Sequence, residues 1–274
     1  MNKGFLVLAQ NSNVDYVRQA YALALSIKST QPTINNISLV TDDTVPEKYL
    51  SVFDKIIPIP FGDAASSSKW KVENRWKLYH ASPYDETIIL DVDMLILENI
   101  EKIWKWVRDK ELFFTSHVVD YKNRKVTDNT YRKMFVANDL PNLYSGMFYF
   151  KKSDTSLEFF KLLEFITNNW EKMYFTVAPK NMQNFYSFDV SVAIAAKLIG
   201  IDDTIVHKNS PFTFTHLKPA LQGWDPVPYS CLSQLLINFT DSKELYLNNF
   251  KQRGIFHYVD DAFLTDEIIE KLNV

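Results

Sequence analysis

Thr87-Ile88-Ile89-Leu90-Asp91-Val92-Asp93-Met94-Leu95-Ile96-Leu97 is an apolar run interrupted by two carboxylates. Thr87 to Leu90 is β-branched and apolar enough to be a central strand covered on both faces of a sheet, and Met94 to Leu97 resumes it. Two carboxylates in such a setting cost several kcal/mol unless a cation, a hydrogen-bond network or water offsets their desolvation. Side chains at i and i+2 of a strand share a face, so Asp91 and Asp93 can reach a single ion. A hard divalent cation, Mg²⁺ or Mn²⁺, matches such oxygen ligands and would also hold a diphosphate.

Outward from this run, strands and helices alternate. Phe5 to Ala9 reads as a strand, and Val17, Ala20, Tyr21, Ala24 and Ile27 recur at helical spacing. Ile37 to Val40 and Lys55 to Ile59 read as further strands, and Trp70 to His80 as a helix. The alternation predicts an α/β fold with a mostly parallel, doubly wound sheet. After the carboxylates, Ile100, Ile103, Trp104 and Val107 mark a helix and Leu112 to Thr115 a strand. Asp120 to Met134 is polar and basic, with Lys122, Arg124, Lys125, Arg132 and Lys133, and reads as a mobile surface loop. Ser145 to Phe150 returns to strand character, Phe159, Leu162, Leu163 and Ile166 mark a helix, and Asp189 to Leu198 a further one that stops at Gly200. Ile255 to Tyr258 reads as a late strand before a short C-terminal helix. No Gly/Ser-rich linker divides the chain, so residues 1–274 are expected to form one domain, with a nucleotide-binding half (1–100) and a sugar and acceptor half (101–274).

With 274 residues, 46% of them hydrophobic, the chain can bury a large core. A net charge of −3 gives no general basic footprint for nucleic acid or membrane. Cys231 is the one cysteine, which excludes an internal disulfide and a cysteine-built metal site. The 6 glycines form no Walker loop or G-x-G-x-x-G, against P-loop enzymes and Rossmann dehydrogenases. The N-terminal apolar stretch is too short for a signal peptide and no run approaches a membrane span, so a cytoplasmic protein is expected.

A helix bearing Lys77, a Tyr84-Asp85 turn, an apolar strand and D-x-D, in that order, resemble glycosyltransferases of family 8, the glycogenin and bacterial lipopolysaccharide glucosyl/galactosyltransferase group. The resemblance implies a GT-A fold and a metal-dependent transfer of a hexose from a UDP-sugar to a hydroxyl, with retention of anomeric configuration. It implies that Asp91 and Asp93 hold Mn²⁺ or Mg²⁺, that Ala9, Gln10, Asn11 and Tyr16 line the base and ribose pocket, and that Val92 and Lys77 also contact the nucleotide-sugar. Ser145-Gly146 resembles the family's Asn-Ala/Ser-Gly segment beside the transferred sugar, with Tyr144 where Asn is usual. Asp189 resembles the Asp of an Asp-Gln pair, with Val190 in place of Gln, and would accept from a sugar hydroxyl.

The family's third metal ligand is a His in a late-strand His-Phe/Tyr-x-Gly-x-x-Lys-Pro-Trp pattern, and this chain splits it. Phe256-His257-Tyr258-Val259 has the strand; Thr215-His216-Leu217-Lys218-Pro219 has the His, Lys and Pro. His257 is the expected ligand, Lys218 a diphosphate contact, and His216 a loop residue nearer the diphosphate. Trp224, in an expected loop, could stack on a sugar.

Ordinary roles compete with these. Asn11 to Asn13 and Asp189 could cap helices, and Lys77 could pair with Glu73 one turn before it. Two other functions stay open: a glycosyltransferase acting on modified DNA bases, to which the Lys122 to Lys133 loop points, and a catalytically silent nucleotide-sugar-binding protein. The expected partners are a nucleotide-sugar donor and a saccharide, protein or modified nucleic-acid acceptor.

Overall fold

Apolar runs with no polar alternation fold here as strands buried on both faces. A computed structural model describes residues 2–65, 71–116, 118–125, 132–206, 210–217 and 235–273. The chain opens as β1 (Lys3–Leu8), α1 (Tyr16–Thr30), β2 (Ile37–Val40), the short α2 (Glu47–Leu50) and β3 (Lys55–Ile57). A 3₁₀ helix, Val72–Lys77, then leads through α3 (Leu78–Ala81) to β4 (Glu86–Leu90). β3, β2, β1 and β4 lie parallel in that order, with Phe5 beside Ile37 on one side and Ile88 on the other.

Beyond D-x-D come β5 (Met94–Ile96), α4 (Lys102–Trp106), β6 (Leu112–Thr115), α5 (Lys133–Ala137), β7 (Tyr144–Lys151), α6 (Asp154–Asn168), α7 (Trp170–Val177) and α8 (Phe188–Leu198). β7 runs antiparallel between β4 and β6, so the main sheet reads β3-β2-β1-β4-β7-β6. The C-terminal part adds β8 (Phe214–His216), the hairpin strands β9 (Ile237–Phe239), β10 (Leu245–Leu247) and β11 (Phe250–Lys251), then β12 (Ile255–His257) and α9 (Asp266–Leu272).

Period two divides the core between the faces of the main sheet. Phe5, Val7, Ile88 and Leu90 pack with Ala20, Leu23 and Ile27 of α1, whereas Leu6, Ile89, Phe148 and Phe150 pack with Phe160 of α6 and Val192 of α8. β1 connects outward to β2 and β3 on one side while β4 lies on the other. The crevice beyond the carboxyl ends of β1 and β4 is therefore a topological switch point, where open α/β sheets bind ligands.

Three expectations change. Met94 to Leu97 does not continue β4: the chain turns at Asp91–Asp93, and β5 joins a second sheet, β5-β12-β8. The segment expected as a helix from Trp70 to His80 is the 3₁₀ helix followed by a single α turn. Lys71, with φ of 55°, precedes it in the left-handed region, and Trp70 lies outside the described residues. The basic stretch is not a loose loop where it is described. Asp120 is buried and its carboxylate accepts from the backbone N–H of Lys122 and Arg124 and from Arg124 Nε, at 2.6–2.9 Å, while Lys133 begins α5.

Candidate active site

Both carboxylates stand just past the end of β4, where β7 begins in the opposite direction. The Asp91 backbone N–H donates to the Gly146 carbonyl at 2.8 Å, continuing the β4–β7 pairing. Tyr258 N–H donates to the Asp93 carbonyl at 3.0 Å, which ties the D-x-D turn to the end of β12. Gly254 leads into β12 with a φ of 63°, and a Cβ there would lie 2.3 Å from the Thr213 carbonyl oxygen, so glycine is required for the strand to reach this place. One donor atom each of Asp91, Asp93 and His257 then fall within 4.8 Å of one another. His257 Nε2 is 3.0 Å from Asp93 Oδ1. A Cβ on Gly146 would lie 3.1 Å from Asp91 Oδ2 and 2.9 Å from Met94 Cε, so the missing side chain lets backbone and carboxylate approach.

Two arginines neutralise this end of the crevice. Arg75 Nη2 donates to Asp91 Oδ1 at 2.5 Å and to the Ser145 carbonyl at 2.6 Å, and its Nη1 to Ser145 Oγ at 3.3 Å. Arg132, almost wholly buried, donates through Nη1 to Asp189 Oδ2 at 2.9 Å and to the Leu143 carbonyl at 2.7 Å. Its guanidinium carbon lies 3.7 Å from the Tyr144 ring centroid, a cation–π contact. Asp189 Oδ1 accepts from Ser145 N–H at 2.9 Å and Ser145 Oγ at 2.5 Å. Arg132, Asp189, Ser145, Arg75 and Asp91 thus form one connected network.

Burial raises the Asp91 carboxyl to about 6, with Arg75 opposing the rise and Asp93 adding to it. Burial also opposes the ionisation of Asp93, but the charge and hydrogen bond of His257, a backbone hydrogen bond and the charge of Arg75 together outweigh it, and the group titrates below the usual carboxylate range. At Asp189 burial is overcome by Arg132 and the Ser145 hydrogen bonds, so this carboxyl too is held low. Burial, then the charges of Asp93, Asp261 and Asp91, push the Tyr16 hydroxyl up.

The structure distributes the remaining expected residues as follows. Ala9 and Gln10 are buried at the carboxyl end of β1, and Gln10 Oε1 accepts from Asn74 Nδ2 at 2.9 Å. Asn11 Oδ1 accepts from Val17 N–H in the first turn of α1, at 3.0 Å, so its side chain serves the helix start; Asp15 accepts from Arg18 N–H beside it. Asp189 lies in the first turn of α8 but makes no capping bond there, being taken by Ser145 and Arg132. Val92 is buried between the carboxylates.

Lys77 donates to the Gly62 carbonyl; burial pushes its ammonium pKa down against the opposing charges of Asp63, Asp42 and Glu164. Winding explains this. A 3₁₀ helix has three residues per turn, so Asn74 and Lys77 share a face, and both reach the Gly62–Asp63 turn while Arg75 faces Asp91. Arg75 and Arg132 are site residues that the sequence reading missed. Arg75 was legible as the other cation of the same segment; Arg132 gave no signal, because an arginine in a basic stretch is ordinarily solvated.

His216 ends β8 and is not in a loop. β8 pairs in parallel with β12, in a register that sets His216 beside His257. Lys218, Trp224 and Cys231 lie outside the described residues.

No family model and no curated protein matches the chain. Solved structures do. The galactosyltransferase LgtC, in complex with donor and acceptor sugar analogs, is 16% identical with a TM-score of 0.58, over 98% of this chain and 95% of that one. An active-site mutant of LgtC is 13% identical with a TM-score of 0.54, over 98% and 94%. The bifunctional glycosyltransferase WbbM is 13% identical with a TM-score of 0.51, over 99% of this chain and 50% of that one. Their likeness establishes the GT-A glycosyltransferase fold for this chain, as the sequence resemblance implied.

Proposed function

We propose that this chain is a metal-dependent glycosyltransferase of one GT-A domain, moving a hexose from a UDP-sugar to a hydroxyl of a saccharide or protein with retention. The observation that carries the reading is the convergence of Asp91, Asp93 and His257 at the switch point of the sheet. Two carboxylates and an imidazole suit Mn²⁺ or Mg²⁺. The raised pKa of Asp91, despite Arg75 beside it, fits a carboxylate pair that a further positive charge would stabilise. When bound, the cation supplies Lewis-acid neutralisation of the diphosphate leaving group.

The protein's own groups supply the rest. Ala9, Gln10 and Tyr16 line the base and ribose end, with the Asn11 and Val92 backbones beside them, and Lys77 fixes the Gly62 turn behind Gln10. Arg75 orients Asp91. Ser145 and Gly146 let the donor sugar approach the start of β7. Asp189 is 17% exposed and keeps acceptor capacity for a sugar hydroxyl, while its bonds to Ser145 and Arg132 hold it ionised and in place. So committed a carboxylate is a poor nucleophile, which favours a front-face reaction. In it the bond from the anomeric carbon to the diphosphate breaks, the acceptor oxygen bonds to that carbon on the same face, and the acceptor proton passes to the departing phosphate oxygen. Lys218 remains an expected diphosphate contact.

The modified-DNA reading loses support because Arg132 is buried and Arg124 is paired with Asp120, which removes cations from the basic stretch. Among the described residues no helix is long and apolar enough to cross a membrane. A screen of nucleotide-sugars for thermal stabilisation with Mn²⁺ tests the reading: one UDP-sugar should raise the melting point with the metal and not without it. Asp93→Asn should stop slow hydrolysis of that donor without unfolding the protein. Hydrolysis at the wild-type rate would remove the metal assignment.

A further inference from the structure

Parallel strands in register set same-face side chains one strand spacing apart, about 4.8 Å. β8 and β12 are such a pair at His216 and His257. The two imidazoles lie face to face, with ring centroids 4.4 Å apart and 24° between their planes. Phe214, two residues before His216 and so on the same face, is tilted only 12° from each ring, at 6.1 and 6.2 Å. Tyr144 makes an edge contact with His216 at 6.1 Å. Asp93 stands at Nε2 of His257, and Gly146 borders its Nδ1 edge. Rotation of the His257 ring out of this arrangement must therefore unstack it from His216.

We propose that His216 is a positioning residue for the metal centre: its flat ring face holds the His257 imidazole in the orientation that directs Nε2 to the Asp93 side of the site. The inference rests on the metal reading given above. It also accounts for the divided sequence pattern, because the two histidine-bearing segments are adjacent strands of one sheet and both rings belong to one device. His216 itself stands outside the donor group of Asp91, Asp93 and His257 among the described residues. Groups that orient a ligating histidine typically change metal affinity 10- to 100-fold, and an aromatic pair contributes at the lower end of that range.

The test compares two variants of similar side-chain bulk. His216→Phe keeps a flat aromatic face and discards both nitrogens; His216→Leu fills the space without a face to stack on. Mn²⁺ affinity is read by the paramagnetic resonance signal of free Mn²⁺, and the melting point of each metal-free protein is recorded alongside. His216→Phe should bind Mn²⁺ within about threefold of wild type and His216→Leu about tenfold more weakly, with both metal-free melting points close to wild type. Wild-type affinity in His216→Leu would overturn the proposal. Equal weakening in both variants would also overturn it, since the nitrogens and not the ring face would then matter. A wild-type protein that takes up no Mn²⁺ overturns the metal reading and this inference with it, a result distinct from any difference among the variants.

Discussion

The two sides of Asp91 are built by different means. On the side of the parallel strands, the side-chain amide oxygens are satisfied by neutral groups, Gln10 by Asn74 and Asn11 by the α1 backbone, and no arginine enters these bonds. On the side of β7, the groups come from distant segments and two are buried arginines, Arg75 on Asp91 and Arg132 on Asp189. Neutral hydrogen bonds contribute about 0.5–1.5 kcal/mol each, whereas removing one member of a buried ion pair leaves an uncompensated charge worth about 3–5 kcal/mol. Chemistry and stability should therefore be separable on the first side and entangled on the second.

Arg132→Met tests the entangled side and carries the largest expected effect. It should lower unfolding stability by about 3 kcal/mol, read as a reduced denaturant midpoint, because the half-buried Asp189 then loses the cation that holds it ionised. A loss under 1 kcal/mol would show that Ser145 alone satisfies Asp189 and would break the comparison.

Gly146→Ala probes the seam between the sides. The added Cβ would meet Met94 Cε at 2.9 Å and Asp91 Oδ2 at 3.1 Å. Shifting the flexible methionine end should cost about 1–3 kcal/mol, and displacing Asp91 should weaken Mn²⁺ uptake, both measurable on one preparation. Unchanged uptake would mean that the carboxylate has room to move.

Gln10→Ala carries the smallest expected effect, about 1 kcal/mol by thermal or denaturant unfolding, because Asn74 keeps its bond to Asp63 at 2.6 Å. A loss as large as that of Arg132→Met would erase the distinction.

The same division decided what could be read from the chain. β1, β2 and β4 are legible because strands covered on both faces are written as unbroken apolar runs, and the carboxylates that end β4 stand next to one. β8 is not, since Phe214-Thr215-His216 is too short for a pattern and is a strand because β12 and Val119 pair with it. β5 looks like the rest of β4 because its apolar residues differ only in the sheet they join. Lys77 drew attention and Arg75 did not, although it is Arg75 whose side chain meets Asp91, since 3₁₀ winding sends the two side chains to different faces. The burial of Arg132 depends on Asp189, 57 residues further along, a dependence that no local window contains.

The central claim is that Asp91, Asp93 and His257 together hold a divalent cation that receives a UDP-sugar. Calorimetric titration of UDP into the wild-type protein, once with Mn²⁺ and once with a chelator, tests it most directly. The account expects UDP binding with Mn²⁺, its loss in the chelator, and its loss with Mn²⁺ present in Asp93→Asn. Equal UDP affinity with and without metal, or an unchanged affinity in Asp93→Asn, would contradict it.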